Sequence, residues 1–390
     1  FYFLSIRWVI RRINNPFELK INVLIMFSAM AFSFLLARHS FGLKPLGILD
    51  ATVFDSPERS QLVLNSPFVV LKTIHNSPLS TTQFLHPDLE KKYFNPITKF
   101  KTTHFENKPN LVFIILESFG SQQIGQTQVS TPITPFLDSL LFKDTTTIYD
   151  SGCANGKTSI ECLPALFAGI PSLMEVPFEI SNFSINRINA FPSIAAQKGY
   201  TTLFFHGAEA GSMRFEATAA KLGFQKRFFR DKLDGIPESK GSWGYHDEIV
   251  FNAMLHTLSE VKQPFLSAIF TLSSHEPFDI PQKQYVKYKN LSAEQASYRY
   301  TDDCLKAFFQ HAKKQAWYPH TIFIITGDHT PVHLDQKCSK IEDYYQVPIA
   351  LVNCPTKTTA PKEHLQIVPW ICHALDWNVQ LYSYGSLQTK

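Results

Sequence analysis

The chain has 390 residues, 44% of them hydrophobic and 34 of them Phe, and carries a net charge of +4. That length suits one large or two modest domains, and the small net charge argues against a nucleic-acid binder. The first residue is not Met, so the chain reads as a processed form or a fragment with an upstream part missing.

Residues 1–10 are apolar and aromatic and read as the end of an earlier membrane span. Ile21 to Ala37 is uncharged throughout, at the lower limit of length for a transmembrane helix. Arg7, Arg11, Arg12 and Lys20 precede it and only Arg38 follows closely, which sets the N-terminal side in the cytoplasm and the rest outside. A buried core helix is the competing reading of the same run. Residues 1–39 are thus expected to form a membrane anchor. Residues 40–107, rich in Pro, Ser, Asn and Thr and lacking periodicity, read as a stalk, and 108–390 as an extracytoplasmic catalytic domain.

From about residue 109 strands and helices alternate. Apolar runs at 110–117, 200–205, 264–271, 321–326 and 347–352 predict strands. Helices are expected at 134–141, 159–168, 193–199, 246–260, 293–315 and 365–375, with a loop at 151–158. This pattern predicts an α/β fold with a mostly parallel sheet and helices on both faces, whose sites lie at the C-terminal strand ends. Four strands end at a Glu or a His: Glu117, His206, His275 and the pair Asp328-His329.

A Glu after six apolar residues must be paired, hydrogen-bonded or metal-bound if it is buried. Its bland alternative is a solvent-facing strand end, and that of Gly327-Asp328-His329 is a polar turn. The stretch Gly156-Lys157-Thr158-Ser159 places two hydroxyls at a predicted helix start, where backbone N–H groups favour a phosphate. Thr158 is the expected nucleophile and Ser159 the fallback. Thr158 with Glu161 also fits a capping box, a purely structural role. A divalent cation would lower the pKa of the attacking hydroxyl. His206 and His275 are candidates for holding or protonating a phosphoryl oxygen, and Arg214 for clamping it. Trp243 and Met213 are candidates for shaping the pocket. No CxxC pair exists among the six cysteines, and an exported domain permits disulfides. Cys153 with Cys162 and Cys338 with Cys354 are candidate pairs, free thiols being the alternative.

In order, Leu-Glu117-Ser118, Gly-Lys-Thr158-Ser159, His206-Gly207, Ser-Ser-His275-Glu-Pro-Phe278 and Thr-Gly-Asp328-His329 resemble the lipoteichoic acid synthase and phosphoglycerol transferase family. That family belongs to the alkaline phosphatase and sulfatase superfamily, and the resemblance covers roughly residues 108–380. It implies Glu117, Thr158, Asp328 and His329 as ligands of one divalent metal, Mn²⁺ before Zn²⁺ or Mg²⁺. It implies substrate contacts from His206, His275 and Arg214. It also implies a membrane phospholipid as donor, an envelope glycan or glycolipid as acceptor, and a catalytic domain on the outer side of a bacterial cytoplasmic membrane. Met213 stands where the family carries a Trp, which leaves phosphoethanolamine transfer, or hydrolysis, as alternatives. Cys162-Leu-Pro-Ala lacks the Ser and Arg of the Cys-x-Pro-Ser-Arg sulfatase signature, which argues against sulfate-ester hydrolysis by that route.

Overall fold

The computed structural model describes residues 16–38, 47–53, 62–64, 66–74, 86, 88, 97–100, 108–125, 132–174, 176–233, 240–331, 340–354 and 359–385. The chain separates into two compact units, Phe1–Ile48 and Leu49–Lys390.

The first unit contains helix α1, Pro16–Arg38. Leu24, Ile25, Phe27, Met30, Phe32 and Phe34 are all exposed on it. Among the described residues no helix is long and apolar enough to cross a membrane, so the transmembrane helix expected over this stretch is not found.

In the second unit a short helix, α2 (Ser66–Thr73), buries none of its residues. A seven-stranded sheet has the order β3-β8-β7-β2-β6-β4-β5. Its strands are β2 (Asn110–Leu116), β3 (Thr147–Cys153), β4 (Thr201–His206), β5 (Lys226–Phe228), β6 (Phe265–Phe270), β7 (Thr321–Gly327) and β8 (Gln346–Val352). Strands β7, β2, β6, β4 and β5 run parallel. β8 is antiparallel to β7 and to the edge strand β3. A separate antiparallel pair joins β1 (Ile97–Phe100) to β9 (Val379–Tyr382).

Burial on both faces explains the unbroken apolar runs of the central strands. Alternate β2 residues divide between two cores. Leu111, Phe113 and Ile115 face α4 (Ser159–Ala168), α5 (Phe191–Gln197), α6 (Phe215–Leu222) and α10 (His364–Ala374). Val112, Ile114 and Leu116 face α3 (Pro135–Phe142), α7 (Asp247–Glu260) and α9 (Ala293–Ala312), with the one-turn α8 (Gln282–Tyr285) lying between α7 and α9 in the chain.

The mostly parallel sheet with helices on both faces matches the expectation. Strand β3 was not expected: its residues Thr147 to Asp150 were unassigned, and its end, 151–153, lies where the loop 151–158 was anticipated. Strand β5 and helix α6 are further additions. Cys153 and Cys162 are both free thiols, so the Cys153–Cys162 disulfide does not form. Cys338 lies outside the described residues, and the Cys338–Cys354 pairing with it.

Candidate active site and metal centre

Strands β2 and β7 are paired so that Leu116 lies opposite Gly327. The next residues, Glu117 and Asp328-His329, therefore leave the sheet side by side. Glu117, Asp328 and His329 are 2%, 1% and 5% exposed. Each offers a ligand atom, and those atoms all lie within 4.8 Å of one another. Among the described residues this is the only such group of three.

The turn after Glu117 ties the two strand ends together. Ser118 has a positive φ of 58°, a conformation that non-glycine residues rarely hold without support from their surroundings. It brings the Ser118 N–H to Asp328 Oδ1 (2.7 Å) and the Ser118 Oγ to Glu117 Oε1 (2.9 Å). The Asp328 N–H donates to Leu116 O at 3.1 Å. From α9, the Tyr298 hydroxyl donates to Ser118 O. After β6, Thr271 Oγ1 accepts from the Glu117 N–H, and Ser274 Oγ donates to Glu117 O. Gly327 is required here, because a Cβ at that position would lie 1.9 Å from Phe119 O.

Burying two carboxylates together is costly without a counter-charge. Burial, and then the charge of Glu117, push the Asp328 pKa up. Burial pulls His329 down, but the neighbouring carboxylates of Asp328 and Glu117 more than offset this and hold its pKa above the ordinary value. His329 Nδ1 faces Thr330 O at 2.7 Å. This favours a proton on Nδ1 and leaves Nε2 to face Asp328 Oδ2 (3.2 Å) and Glu117 Oε1 (3.7 Å). Asp328 Oδ2 accepts no hydrogen bond. Oxygen ligands, an oriented imidazole and an orphaned carboxylate oxygen suit a divalent cation.

The hydroxyl in this cluster is that of Ser159. At the first position of α4, its Oγ lies 3.1 Å from Glu117 Oε2 and 3.2 Å from His329 Nε2. Thr158, the N-cap, is exposed on the wall of the cavity that also holds Ser159, with its Oγ1 donating to Glu161 Oε2 at 2.9 Å. The Lys157 and Thr158 N–H groups reach the same carboxylate oxygen. Glu161 thus holds the helix start and engages the hydroxyl of Thr158, which lines the same cavity as Glu117 and His329.

An open cavity of about 200 Å³ lies over the cluster. Glu117, Thr158, Ser159, His329, His275 and Met213 are among its walls. His275 Nδ1 faces Glu276 O, which leaves Nε2 for a ligand, and the Trp243 ring packs edge-on against the imidazole at 4.8 Å. His206 sits apart from this wall. It is buried among the rings of Phe215, Phe229 and Phe270, with Nδ1 at 3.0 Å from Phe270 O. Burial pulls its pKa down to about 4, so it is neutral at physiological pH. Arg214 donates to Glu179 O and stands behind Met213, at consecutive positive φ values of 46° and 61°. Sequence reasoning gave no role to Ser118, Thr271, Ser274 or Tyr298. Ser118 was signalled only by adjacency to Glu117, and the others by nothing local. A larger crevice of about 440 Å³, lined by residues such as Asn110, Gln263 and Thr321, lies at the opposite strand ends, away from the cluster.

This fold and site define an α/β protein of the alkaline phosphatase-like type. The chain belongs to the sulfatase family, whose model matches residues 109–365. It is 27% identical over 311 residues to lipoteichoic acid synthase 1 of Bacillus subtilis, an alignment covering 75% of this chain and 46% of that protein. The chain therefore spans about half the length of that relative. Among solved structures it is similar to a protein in the alkaline phosphatase superfamily from Vibrio parahaemolyticus, with a TM-score of 0.62 and 22% identity over 85% of this chain and 78% of that one. It is also similar to the lipoteichoic acid synthase LtaP from Listeria monocytogenes, with a TM-score of 0.61 and 20% identity over 71% of this chain and 74% of that one.

Proposed function

We propose that this chain is a membrane-anchored, divalent-metal-dependent phosphotransferase that moves a phospholipid headgroup, phosphoglycerol, to a hydroxyl of a cell-envelope glycan or polymer. The observation that carries the reading is the Ser159 hydroxyl set between Glu117 and His329, at a helix N-terminus. A transferable group needs a nucleophile at the metal, and a simple binding module does not. The likeness to lipoteichoic acid synthase 1 supports the choice of headgroup. The exposed apolar side chains of α1 support an anchor that sets the catalytic unit on the outer face of a bacterial cytoplasmic membrane.

Glu117, Asp328 and His329 hold the cation, Mn²⁺ in the first instance. Bound there, it would supply positive charge that favours the serine alkoxide and the developing phosphoryl charge. Ser159 Oγ passes its proton to Glu117 Oε2, to which it already donates, and attacks phosphorus; the bond from phosphorus to the diacylglycerol oxygen breaks, and a glycerophosphoryl ester of Ser159 remains. His275 Nε2 donates to the departing oxygen. An acceptor hydroxyl then attacks the glycerophosphoryl ester, losing its proton to the same imidazole, and Ser159 leaves, taking its proton back from Glu117.

The test is to incubate the full chain with Mn²⁺ in phosphatidylglycerol vesicles and follow diacylglycerol release and peptide masses. A glycerophosphoryl adduct on Ser159 supports the reading. Headgroup released to water with no adduct, at a rate indifferent to acceptor, would replace it with a phosphodiesterase.

A further inference from the structure

Segment 172–187 joins α4 to the entry of α5, and its polarity is inverted. Leu173, Val176, Ile180 and Ile185 are 78%, 44%, 46% and 45% exposed. Glu179, Ser181 and Ser184 are 0%, 5% and 1% exposed. Packing alone drives the opposite arrangement, with aliphatic groups inward and polar groups outward. The segment is nevertheless ordered by its own hydrogen bonds. Ser181 N–H donates to Pro177 O and Phe178 O, Ser184 N–H to Ser181 O, and Ser181 Oγ to Phe178 O. It is an organised loop that presents hydrocarbon.

Its place is the rim of the candidate active site. Ser172 Oγ donates to Glu161 Oε1, and Glu161 in turn holds Thr158. Arg214 donates to Glu179 O, and its neighbour Met213 forms part of the cavity wall. A shallow crevice between them is lined by Glu161, Met174, Val176 and Phe178. Of the three charged side chains in the segment, Arg187 is exposed and Glu179 is buried, while Glu175 lies outside the described residues. Lys157 adds a second exposed cation at the cavity.

We propose that segment 172–187 is a foot that seats the catalytic unit on an anionic lipid surface, with Leu173, Val176, Ile180 and Ile185 entering the headgroup–acyl boundary. This rests on the reading of the site as one that takes a headgroup from a phospholipid. Exposed apolar patches mark protein or membrane contacts. One observation selects a membrane: the patch adjoins the cavity that must receive a lipid headgroup, whose exposed rim carries Lys157 as well as Glu276. Glu179 fits the same arrangement. Burial pushes its pKa up to about 8, with Glu161 adding to the rise and Arg214 opposing it, so the loop carries no negative charge there at neutral pH.

The test uses the full chain reconstituted in phosphatidylglycerol vesicles, with the photo-reactive amino acid benzoylphenylalanine replacing Leu173, and replacing the exposed Phe142 of α3 as the control. The expected result is a lipid adduct at position 173 and none at 142. An adduct between two copies of the chain, or no adduct at 173, overturns the proposal. In parallel, the triple variant Leu173→Ser, Val176→Ser, Ile180→Ser should turn over vesicle phosphatidylglycerol about tenfold more slowly, because three aliphatic insertions are lost. It should keep its rate on a water-soluble short-chain phosphatidylglycerol. Equal losses on both donors would mean that the loop merely shapes the cavity. If the unmodified chain releases headgroup from neither donor, the assignment of function fails, and the adduct at 173 still decides the surface.

Discussion

Replacing Ser159 by Ala removes the hydroxyl that bridges Glu117 and His329, with its Oγ 3.1 Å from Glu117 Oε2 and 3.2 Å from His329 Nε2. Deleting a covalent nucleophile can cost up to about 10⁶-fold in turnover. Thr158 limits how much is recovered, since its hydroxyl would have to leave Glu161 Oε2, a charge-assisted bond worth roughly 1.5–3 kcal/mol. We therefore expect Ser159→Ala to lose at least about 10³-fold, while Thr158→Ala stays within about tenfold and loses the roughly 0.5–2 kcal/mol of stability of an N-cap. Diacylglycerol release from phosphatidylglycerol vesicles gives the rates, and mass spectrometry of the peptide spanning 152–168 locates any phosphoryl adduct. Thermal melts establish that both variants fold. An adduct that survives in Ser159→Ala and vanishes in Thr158→Ala would refute the reasoning, because it would require the Thr158 hydroxyl to leave Glu161 Oε2 and act as the nucleophile.

A second prediction concerns the cation. Mn²⁺ at about 100 times its Kd should stabilise the protein by roughly 2.7 kcal/mol, a rise of several degrees in Tm that EDTA reverses and Asp328→Asn abolishes; an unchanged melt would count against the site. A third concerns Glu179, whose pKa is raised by burial to about 8. A carboxyl raised on folding contributes stability in full below its unfolded pKa and loses it as pH climbs through the folded value. Wild-type stability should thus fall between pH 5 and 8 by an amount on the order of 3 kcal/mol from this residue, and Glu179→Gln should flatten that slope in urea titrations; parallel slopes for the two proteins would disprove it. A fourth is Gly327→Ala, whose Cβ would sit 1.9 Å from Phe119 O. It should abolish Mn²⁺ binding or prevent folding, so a variant with wild-type Tm and affinity would contradict the geometry.

The strands that carry the cluster were legible because burial on both faces leaves an unbroken apolar run with an abrupt polar end. Asn110–Leu116 and Thr321–Gly327 read that way from sequence alone. Strand β3 did not, because its residues Thr147–Cys153 are mostly polar and half-buried, as an edge strand allows. Strands β1 and β9 are four residues each and partly exposed, too short to carry a period. The site followed the same division. Glu117, Asp328 and His329 announced themselves as polar groups after hydrophobic strands. The capping box already marked Thr158 as N-cap and Ser159 as the first residue of α4, but which hydroxyl meets Glu117 and His329 depends on where the helix start sits against the ends of β2 and β7. Backbone geometry settles that, through Glu161 accepting three hydrogen bonds from Lys157 and Thr158.

Register explains why so few residues define the cluster. Leu116 opposite Gly327 puts Glu117 and Asp328 on equivalent steps beyond the sheet, and the Asp328 N–H still donates to Leu116 O. A slip of one residue between β2 and β7 would send every side chain of one strand to the other core. Leu111, Phe113 and Ile115 would then have to exchange places with Val112, Ile114 and Leu116. That penalty is spread over the whole core, so the position of the carboxylate–histidine cluster is fixed by hydrophobic residues far from it. The ligands themselves add charge repulsion rather than stability, and the Ser118 turn, strained at φ 58°, is held by the same two carboxylates that it orients. The site is therefore an expense met by the sheet, which holds two carboxylates closer than they would choose to stand, the arrangement that a divalent cation would relieve.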